Sequence, residues 1–215
     1  MTNEMNLITN RVILVGTVES EPVLSHEMYG EGFFDFLIKV PRLSRQNDII
    51  PVTAPGKLFD QNELKIGDKI ALEGQFRSYN KMDGMRSKLM LTVFVRDFIP
   101  SEGQMNPNSV ELSGYICKDP IYRTTPFNRE ICDLLLAVNR SFNKSDYIPC
   151  ISWGKNARFC KNLTVGTRIN LSGRIQSREY MKKLSEDMTE IRIAYEISVG
   201  KIALEESVDT EQMQP

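Results

Sequence analysis

The sequence predicts an all-β protein made of two tandem copies of one small barrel. Residues 10–57 align without a gap on residues 108–155, and 14 of the 48 aligned pairs are identical. In both copies apolar residues recur at every second position, as in β-strands, and Gly or Pro ends the runs. The chain has 215 residues and 41% hydrophobic content, which suffices for two cores of about 100 residues each. Because the repeat is too long for a solenoid, it indicates two domains.

The first copy contains five predicted strands, each a short run with one apolar side. They cover residues 12–18, 33–40, 49–53, 67–76 and 88–95. Val12, Leu14 and Val18 form the apolar side of the first strand, and Pro22 ends it because proline lacks the N–H that a strand ladder needs. The apolar spacing after the third strand suits one short helix over residues 57–64.

The second copy repeats this order of elements. Its predicted strands cover residues 110–116, 131–138, 147–152, 167–175 and 191–199, with a helix over 156–163. Three strands, a helix and two strands is the order of a five-stranded OB-fold barrel. We therefore expect two tandem five-stranded OB-fold barrels, each with one short helix between strands 3 and 4.

The domain boundaries follow from composition. We expect a first OB-fold domain over residues 1–100, a linker over 101–107 that contains Gly, Asn and Pro, a second OB-fold domain over 108–204, and a disordered acidic tail over 205–215.

Charge is distributed unevenly along the chain. The net charge is −1 overall, but it is −2 over residues 1–107, +5 over 108–204 and −4 over 205–215. The second copy is therefore the part that favours an anionic partner. The polar N-terminus lacks a basic region followed by an apolar run, so we expect neither secretion nor membrane insertion. We expect a cytoplasmic, nucleoid-associated location.

Catalytic and metal-binding chemistry finds little support in the sequence. The chain has one histidine and no complete phosphate-binding glycine motif. Its four cysteines include no close pair, which argues against a zinc site, and a reducing cytoplasm suits them best. We expect no enzyme activity, no cofactor and no metal.

Strand parity in the second copy predicts a nucleic-acid-binding face. Single strands are held by aromatic side chains on which bases stack and by cations that contact phosphates. Tyr147 and Trp153 are six residues apart in one strand and therefore share a face. In the next strand the residues between the core positions point outward and form a basic stripe that includes Arg168, Arg174 and Arg178.

The predicted contacts fall into a main set and a secondary set. The main set is Phe142, Tyr147, Trp153, Lys155, Arg158, Arg168, Arg174, Arg178, Tyr180, Lys182 and Lys183. The secondary set, in the first copy, is Arg42, Lys57, Arg77 and Tyr79.

Several ordered motifs of the second copy resemble bacterial single-stranded DNA-binding proteins. They are Asn108-x-Val-x-Leu-x-Gly114, Asp119-Pro120, Leu136-Ala137-Val138, Trp153-Gly154-Lys155-Asn156-Ala157, Leu163-x-x-Gly166 and the run from Gly173 to Tyr180. The similarity spans nearly all of residues 108–202, and the first copy resembles the family more faintly. The resemblance implies sequence-non-specific binding of single-stranded DNA in replication, recombination or repair.

The resemblance also assigns roles to particular positions. Stacking aromatics in that family correspond to Tyr147, Trp153, Phe142 and Tyr180, whereas the first copy has Ile49, Pro55, Ser44 and Tyr79. We therefore expect the second copy to be the main binding domain. Family members commonly combine four OB folds, which implies a homodimer here. They also recruit replication or repair proteins through an acidic tail with a terminal Phe, which this chain lacks.

Two other functions fit the same residues. An OB-fold accessory protein of replication restart or mobile-element transfer would bind a partner protein and only weakly bind DNA. A single-stranded RNA binder would use the same stacking and phosphate contacts.

Overall fold

The computed structural model describes residues 9–59, 63–84, 86–102, 106–183 and 188–205. It confirms the all-β OB-fold class. The strands of the first half are β1 (Asn10–Val18), β2 (Val23–Met28), β3 (Glu31–Pro41), β4 (Asn47–Pro55), β5 (Lys69–Asp83) and β6 (Arg86–Ile99). Those of the second half are β7 (Asn108–Ile116), β8 (Ile121–Thr124), β9 (Glu130–Arg140), β10 (Lys144–Trp153), β11 (Arg168–Lys183) and β12 (Thr189–Leu204), with helix α1 (Gly154–Cys160) after β10.

Each half closes five strands into a barrel. In the first half β1 pairs with β5 and β3, β3 with β4, β4 with β6 in parallel, and β6 with β5. The second half repeats this ring with β7, β9, β10, β12 and β11. Alternate residues of these strands fill the barrels, and Leu14, Phe76, Leu136 and Ile175 are fully buried. Burying one such side chain stabilises the fold by about 1.5–3 kcal/mol.

Two short strands, β2 and β8, were not predicted. They pair only with β3 and β9, outside the closed ring. Every residue of β2 is exposed, and so are three of the four in β8. A strand that buries no side has no apolar alternation, so the pattern used for prediction carries no signal there.

The two long hairpins and the helices also depart from the predicted bounds. β5 and β11 continue to residues 83 and 183, beyond the predicted ends at 76 and 175, because their outer parts leave the barrel and lose the alternating burial. The helix predicted over 57–64 is wrong: the structure has a three-residue 3₁₀ turn, Gly56–Leu58, without a side-chain N-cap, and residues 60–62 lie outside the described part. Helix α1 is present but spans residues 154–160 rather than 156–163.

The two halves share one continuous sheet. β1 and β7 pair antiparallel with Val12 opposite Val110, which relates the halves by an approximate twofold axis. Asn10 and Asn108 flank this seam in equivalent roles. The Asn10 amide donates to the Phe76 carbonyl at 2.7 Å and accepts from the Phe76 N–H at 2.9 Å, and Asn108 makes the same pair of bonds with Ile175. The linker and tail boundaries are described only in part, because residues 103–105 and 206–215 lie outside the described residues.

Across the described ranges, no helix is both long and apolar enough to cross a bilayer.

Candidate nucleic-acid interface

The aromatic residues predicted on β10 lie on its solvent-facing side. Trp153, the only tryptophan of the chain, is 39% exposed and Tyr147 is 46% exposed, while Ile148 and Cys150 between them are buried in the barrel. The six-residue separation of the two aromatics corresponds to about 20 Å along a strand. The barrel core is therefore complete without Trp153, which leaves its ring available to a ligand.

Phe142 projects from the turn between β9 and β10. Its side chain is 94% exposed, and both Phe142 and Asn143 have positive φ angles, of 64° and 54°. Bulky residues rarely adopt this left-handed conformation, which costs about 1–3 kcal/mol and persists at positions that a function or the surrounding structure requires. The turn thus holds a large apolar ring in water at the start of β10.

Tyr180 lies on the outer part of the β11–β12 hairpin. It is 38% exposed and pairs in register with Arg192, and the Arg178 guanidinium lies 6.0 Å from its ring centre. Because β12 runs parallel to β10, the hairpin tip points to the same end of the sheet as Tyr147. Tyr147 and Tyr180 therefore lie toward the same end of the sheet, and Trp153 lies at the other end of β10.

The basic stripe of β11 is largely neutralised by carboxylates from other segments. Arg168 pairs with Glu205 at 2.9 Å and Arg178 with Glu196 at 3.5 Å. Gln176, expected to point outward with them, is instead buried and donates to Glu196 at 2.7 Å. Strand parity identified the side of the strand but could not reveal acids contributed by distant residues.

Arg174 belongs to a partly buried cluster between the two halves. It donates to the Asp48 carboxylate at 3.1 Å, and Arg42 forms two further hydrogen bonds with Asp48. Asp48 is fully buried and also accepts from the Ser177 backbone N–H at 2.7 Å. The hydrogen bond from Arg42 to Asp48 raises the pKa of Arg42, whereas burial and the charge of Arg42 lower the pKa of Arg174. Both predicted contacts thus have a structural role that the sequence did not indicate.

The remaining cations of the second half lie on its surface. Lys155 is exposed at the start of α1, and Arg158 on the same helix forms an ion pair with Glu130. Lys183 is exposed and Lys182 half-buried near the end of β11, next to residues 184–187, which lie outside the described part. Their roles in binding stay predictions.

The secondary residues of the first half are dispersed. Lys57 lies 3.7 Å from Glu31, and Tyr79 is 46% exposed on β5. The Ser78 N–H donates to Asp146 of the second half, and the Ser177 N–H donates to Asp48 of the first half. Ser78 is therefore equivalent to Ser177. It follows that Tyr79 is equivalent to Arg178, and Lys81 to Tyr180. None of the four aromatic positions of the second half thus keeps an aromatic in the first.

Arg77 is the most unusual of the secondary residues. Its guanidinium stacks 3.7 Å from the centre of the Phe94 ring, and burial together with the nearby Arg140 lowers its pKa to about 10. Its cationic neighbours Arg96, Arg140 and Lys144 were not among the predicted contacts. Only the identity of Arg140 with Arg42 in the repeat could have drawn attention to one of them.

Comparisons with known proteins agree on one family. Residues 107–202 match the model of the Single-strand binding protein family. The single-stranded DNA-binding protein of Clostridium tetani is 40% identical over 83 residues, which cover 35% of this chain and 57% of that protein. Single-stranded DNA-binding protein B of Bacillus subtilis is 37% identical over 83 residues, which cover 34% of this chain and 71% of that protein. The chain spans about half the length of most of the curated relatives it matches.

The architecture of the whole chain has a counterpart in a solved structure. The crystal structure of a deletion mutant of the single-stranded DNA-binding protein from Thermus aquaticus superposes with a TM-score of 0.72 at 20% identity, covering 95% of this chain and 98% of the other. At this identity the likeness concerns the fold, and it includes both halves. The family match, the identity with the Bacillus subtilis protein and the shared fold together show that the chain belongs to the Single-strand binding protein family.

Proposed function

We propose that this protein binds single-stranded DNA without sequence specificity and that its second half is the main binding site. The observation that carries the proposal is the exposure of Trp153 and Tyr147 on β10, beside a barrel core that is complete without them. An exposed tryptophan and tyrosine on one strand face suit base stacking, which contributes about 1–3 kcal/mol per base and tolerates any sequence. The relatives named above as single-stranded DNA-binding proteins support the same ligand.

The first half has a lesser part in this proposal. Ser44, Ile49, Pro55 and Lys81 stand where the second half has Phe142, Tyr147, Trp153 and Tyr180. Without a ring, these positions offer no stacking surface to a base. The first half would instead complete the shared sheet and provide cations.

Titration with nucleic acids tests the proposal directly. Trp153 is the only tryptophan, so its fluorescence reports on contacts at one position. We expect strong quenching by oligo-dT, little by duplex DNA, and an affinity for oligo-dT that falls as salt rises because phosphate contacts release counterions. Equal or stronger quenching by oligo-U would favour RNA as the ligand. If no single strand binds, the protein acts through a partner protein instead.

The stacking role of Trp153 has its own test. Trp153→Ala should weaken binding of a fluorescently labelled oligo-dT, followed by anisotropy, by about 1–3 kcal/mol, the contribution of one stacked base. Ser44→Ala, at the first-half position equivalent to Phe142, is the matched control and should bind as the wild type does. If the two variants weaken binding equally, the asymmetry between the halves is wrong.

We further propose a homodimer, located in the cytoplasm with the nucleoid, that has no catalytic activity of its own. Two chains would combine four OB-fold domains, which is the number commonly found in the family that the sequence resembles. Sedimentation equilibrium should then give a particle of twice the chain mass, and a monomeric mass at micromolar concentration would contradict this part of the proposal.

A further inference from the structure

A cleft of about 540 Å³ lies at the junction of the two halves. The first half contributes Gln75, Arg77 and Arg96, and the second half contributes Arg140, Phe142 and Lys144. Among the described residues that line it there are four cations and no carboxylate. The cleft therefore concentrates positive charge in a chain whose net charge is −1.

The cations crowd one another inside the cleft. Arg77 is partly buried, and its pKa is lowered by burial, by Arg140 and by Arg96. The acids Asp146 and Glu73 lie near these cations. Asp146 is buried, lies 3.5 Å from Arg140 and accepts from the Ser78 N–H at 2.8 Å. Glu73, whose pKa is lowered in part by the charge of Arg96, is paired with Arg11 at 3.0 Å. Because both carboxylates are already engaged, the four cations leave an excess of positive charge that an anion would relieve.

The equivalent region on the other side of the approximate twofold axis lacks this excess. The β-ladder registers and the repeat place Gln176 where the cleft has Arg77, Gly200 where it has Arg96, and Gln46 where it has Lys144. A further acid, Glu196, replaces Thr92 there. The arginines present, Arg42 and Arg174, are both bound to Asp48. The charge difference is thus a property of this cleft and not of the junction in general.

The cleft also continues the aromatic face of the second half. Trp153 lies at the end of β10, and Tyr147 lies near its start. The turn that precedes β10 holds Phe142, which lines the cleft. A strand stacked on these rings would reach the cleft as it leaves β10. Arg140 and Lys144 flank the ring of Phe142 in sequence, so stacking and phosphate contacts meet there.

We propose that this cleft holds the phosphodiester backbone of a bound single strand where the strand crosses from the second half to the first. The site rests on the proposed function, and it assigns phosphate contacts to Arg77, Arg96, Arg140 and Lys144. The strand then crosses the junction on this side of the molecule only.

The test removes two cleft cations whose side chains are exposed and therefore tolerate substitution. Arg96→Gln and Lys144→Gln are combined in one variant, and Arg45→Gln with Lys65→Gln, two exposed first-half cations outside the cleft, form the control. Binding of oligo-dT of about 30 nucleotides, long enough for two OB folds at about 4–16 nucleotides each, is measured by anisotropy from 0.05 to 1 M salt. Circular dichroism checks that both variants are folded.

We expect the slope of log affinity against log salt to be shallower by about 1.4 in the cleft variant, at about 0.7 per lost phosphate contact. The ratio of variant to wild-type affinity should therefore fall about 25-fold between 1 M and 0.1 M salt. The control should keep the wild-type slope. An equal loss of slope in both variants would mean that overall charge explains the effect, and it would overturn the cleft proposal. Wild-type binding by the cleft variant, with binding still weakened by Trp153→Ala, would overturn the cleft and leave the proposed function standing. Absence of binding by the wild type would overturn both.

Discussion

Two buried aspartates, Asp48 and Asp146, connect the halves at the scale of single residues. Asp48 accepts hydrogen bonds from Arg42, Arg174 and Ser177, whereas Asp146 accepts one from the Ser78 N–H and lies 3.5 Å from Arg140. A buried carboxylate stabilises a fold only when hydrogen bonds and opposite charges compensate it. Its removal leaves those partner groups buried and unpaired. The same residue type at equivalent positions therefore contributes unequally to stability.

Replacement of these aspartates should expose the difference. We expect Asp48→Ala to lower the free energy of unfolding by about 3–5 kcal/mol because it leaves two arginines unpaired in a partly buried cluster. Asp146→Ala should lower it by less, since one arginine, Arg140, forms an ion pair with Asp146 and two form ion pairs with Asp48. Urea unfolding followed by circular dichroism measures both values, and equal losses would contradict the assignment of the arginine cluster to Asp48.

The cysteines make a second prediction at the residue scale. Burial raises the pKa of the Cys132 thiol to about 11, and burial also raises the pKa values of Cys150 and Cys160. Only the thiolate reacts with alkylating agents, and at pH 8 a thiol with a pKa of about 11 is ionised to about 0.1%. Iodoacetamide at pH 8 should therefore leave these three cysteines unlabelled in the native protein and label all of them in urea. Rapid native labelling of Cys132 or Cys150 would contradict their burial.

At the scale of elements, glycines decide how the long hairpins bend into the barrels. The register of β11 with β12 shifts between Ser172 and Gly173, and that of β5 with β6 shifts between Glu73 and Gly74. A Cβ on Gly173 would lie 2.2 Å from the Ser198 carbonyl oxygen, and one on Gly74 would lie 2.3 Å from that of Phe94. Only glycine fits at these bulges, because the neighbouring atom belongs to the backbone and has little freedom to move.

We expect Gly173→Ala to destabilise the protein by about 1–3 kcal/mol, the usual cost of overpacking. Gly200→Ala is the matched control on the paired strand, because its added Cβ would meet the Ser172 oxygen only at 3.4 Å. It should cost less than about 1 kcal/mol in thermal or urea unfolding. A larger loss at Gly200 than at Gly173 would show that the close approach is not what fixes the bulge.

The same elements show where sequence patterns succeed. Strands inside the barrels were predicted because one side is buried, as with Val12 and Leu14 in β1. β2 and the outer parts of β5 and β11 bury neither side and were missed or cut short. The first-half helix was predicted from apolar spacing at Leu58, yet the described residues form only a 3₁₀ turn over Gly56–Leu58.

At the scale of the whole molecule, the pairing of β1 with β7 makes the two barrels one continuous sheet. Val12 lies opposite Val110, and backbone bonds from Val15 to Pro107 and from Ser113 to Thr9 extend the seam. Without the first half, β7 would present an unpaired edge, and such edges pair with other chains.

Separating the halves tests this arrangement. A chain limited to residues 106–205 should self-associate by antiparallel pairing of two β7 strands, because the edge at Val110 then has no partner within the chain. Sedimentation equilibrium should give a dimer of the fragment. A Glu111→Pro version, which lacks one of the N–H groups that β7 directs toward β1, should be monomeric if it remains folded. A folded but monomeric fragment without the proline would contradict an essential role for the seam.

The repeat, the OB-fold class and the aromatic positions of the second half can all be read from the amino-acid sequence. These features are local: alternation, glycines and exposed rings are set by neighbours along one strand. Which charges remain available depends on the folded chain, because Asp48, Glu196 and Glu205 reach Arg174, Arg178 and Arg168 from distant segments. Folding also brings Arg77 and Arg96 beside Arg140 and Lys144, and electrostatic balance depends on distances in space that no spacing along the chain records.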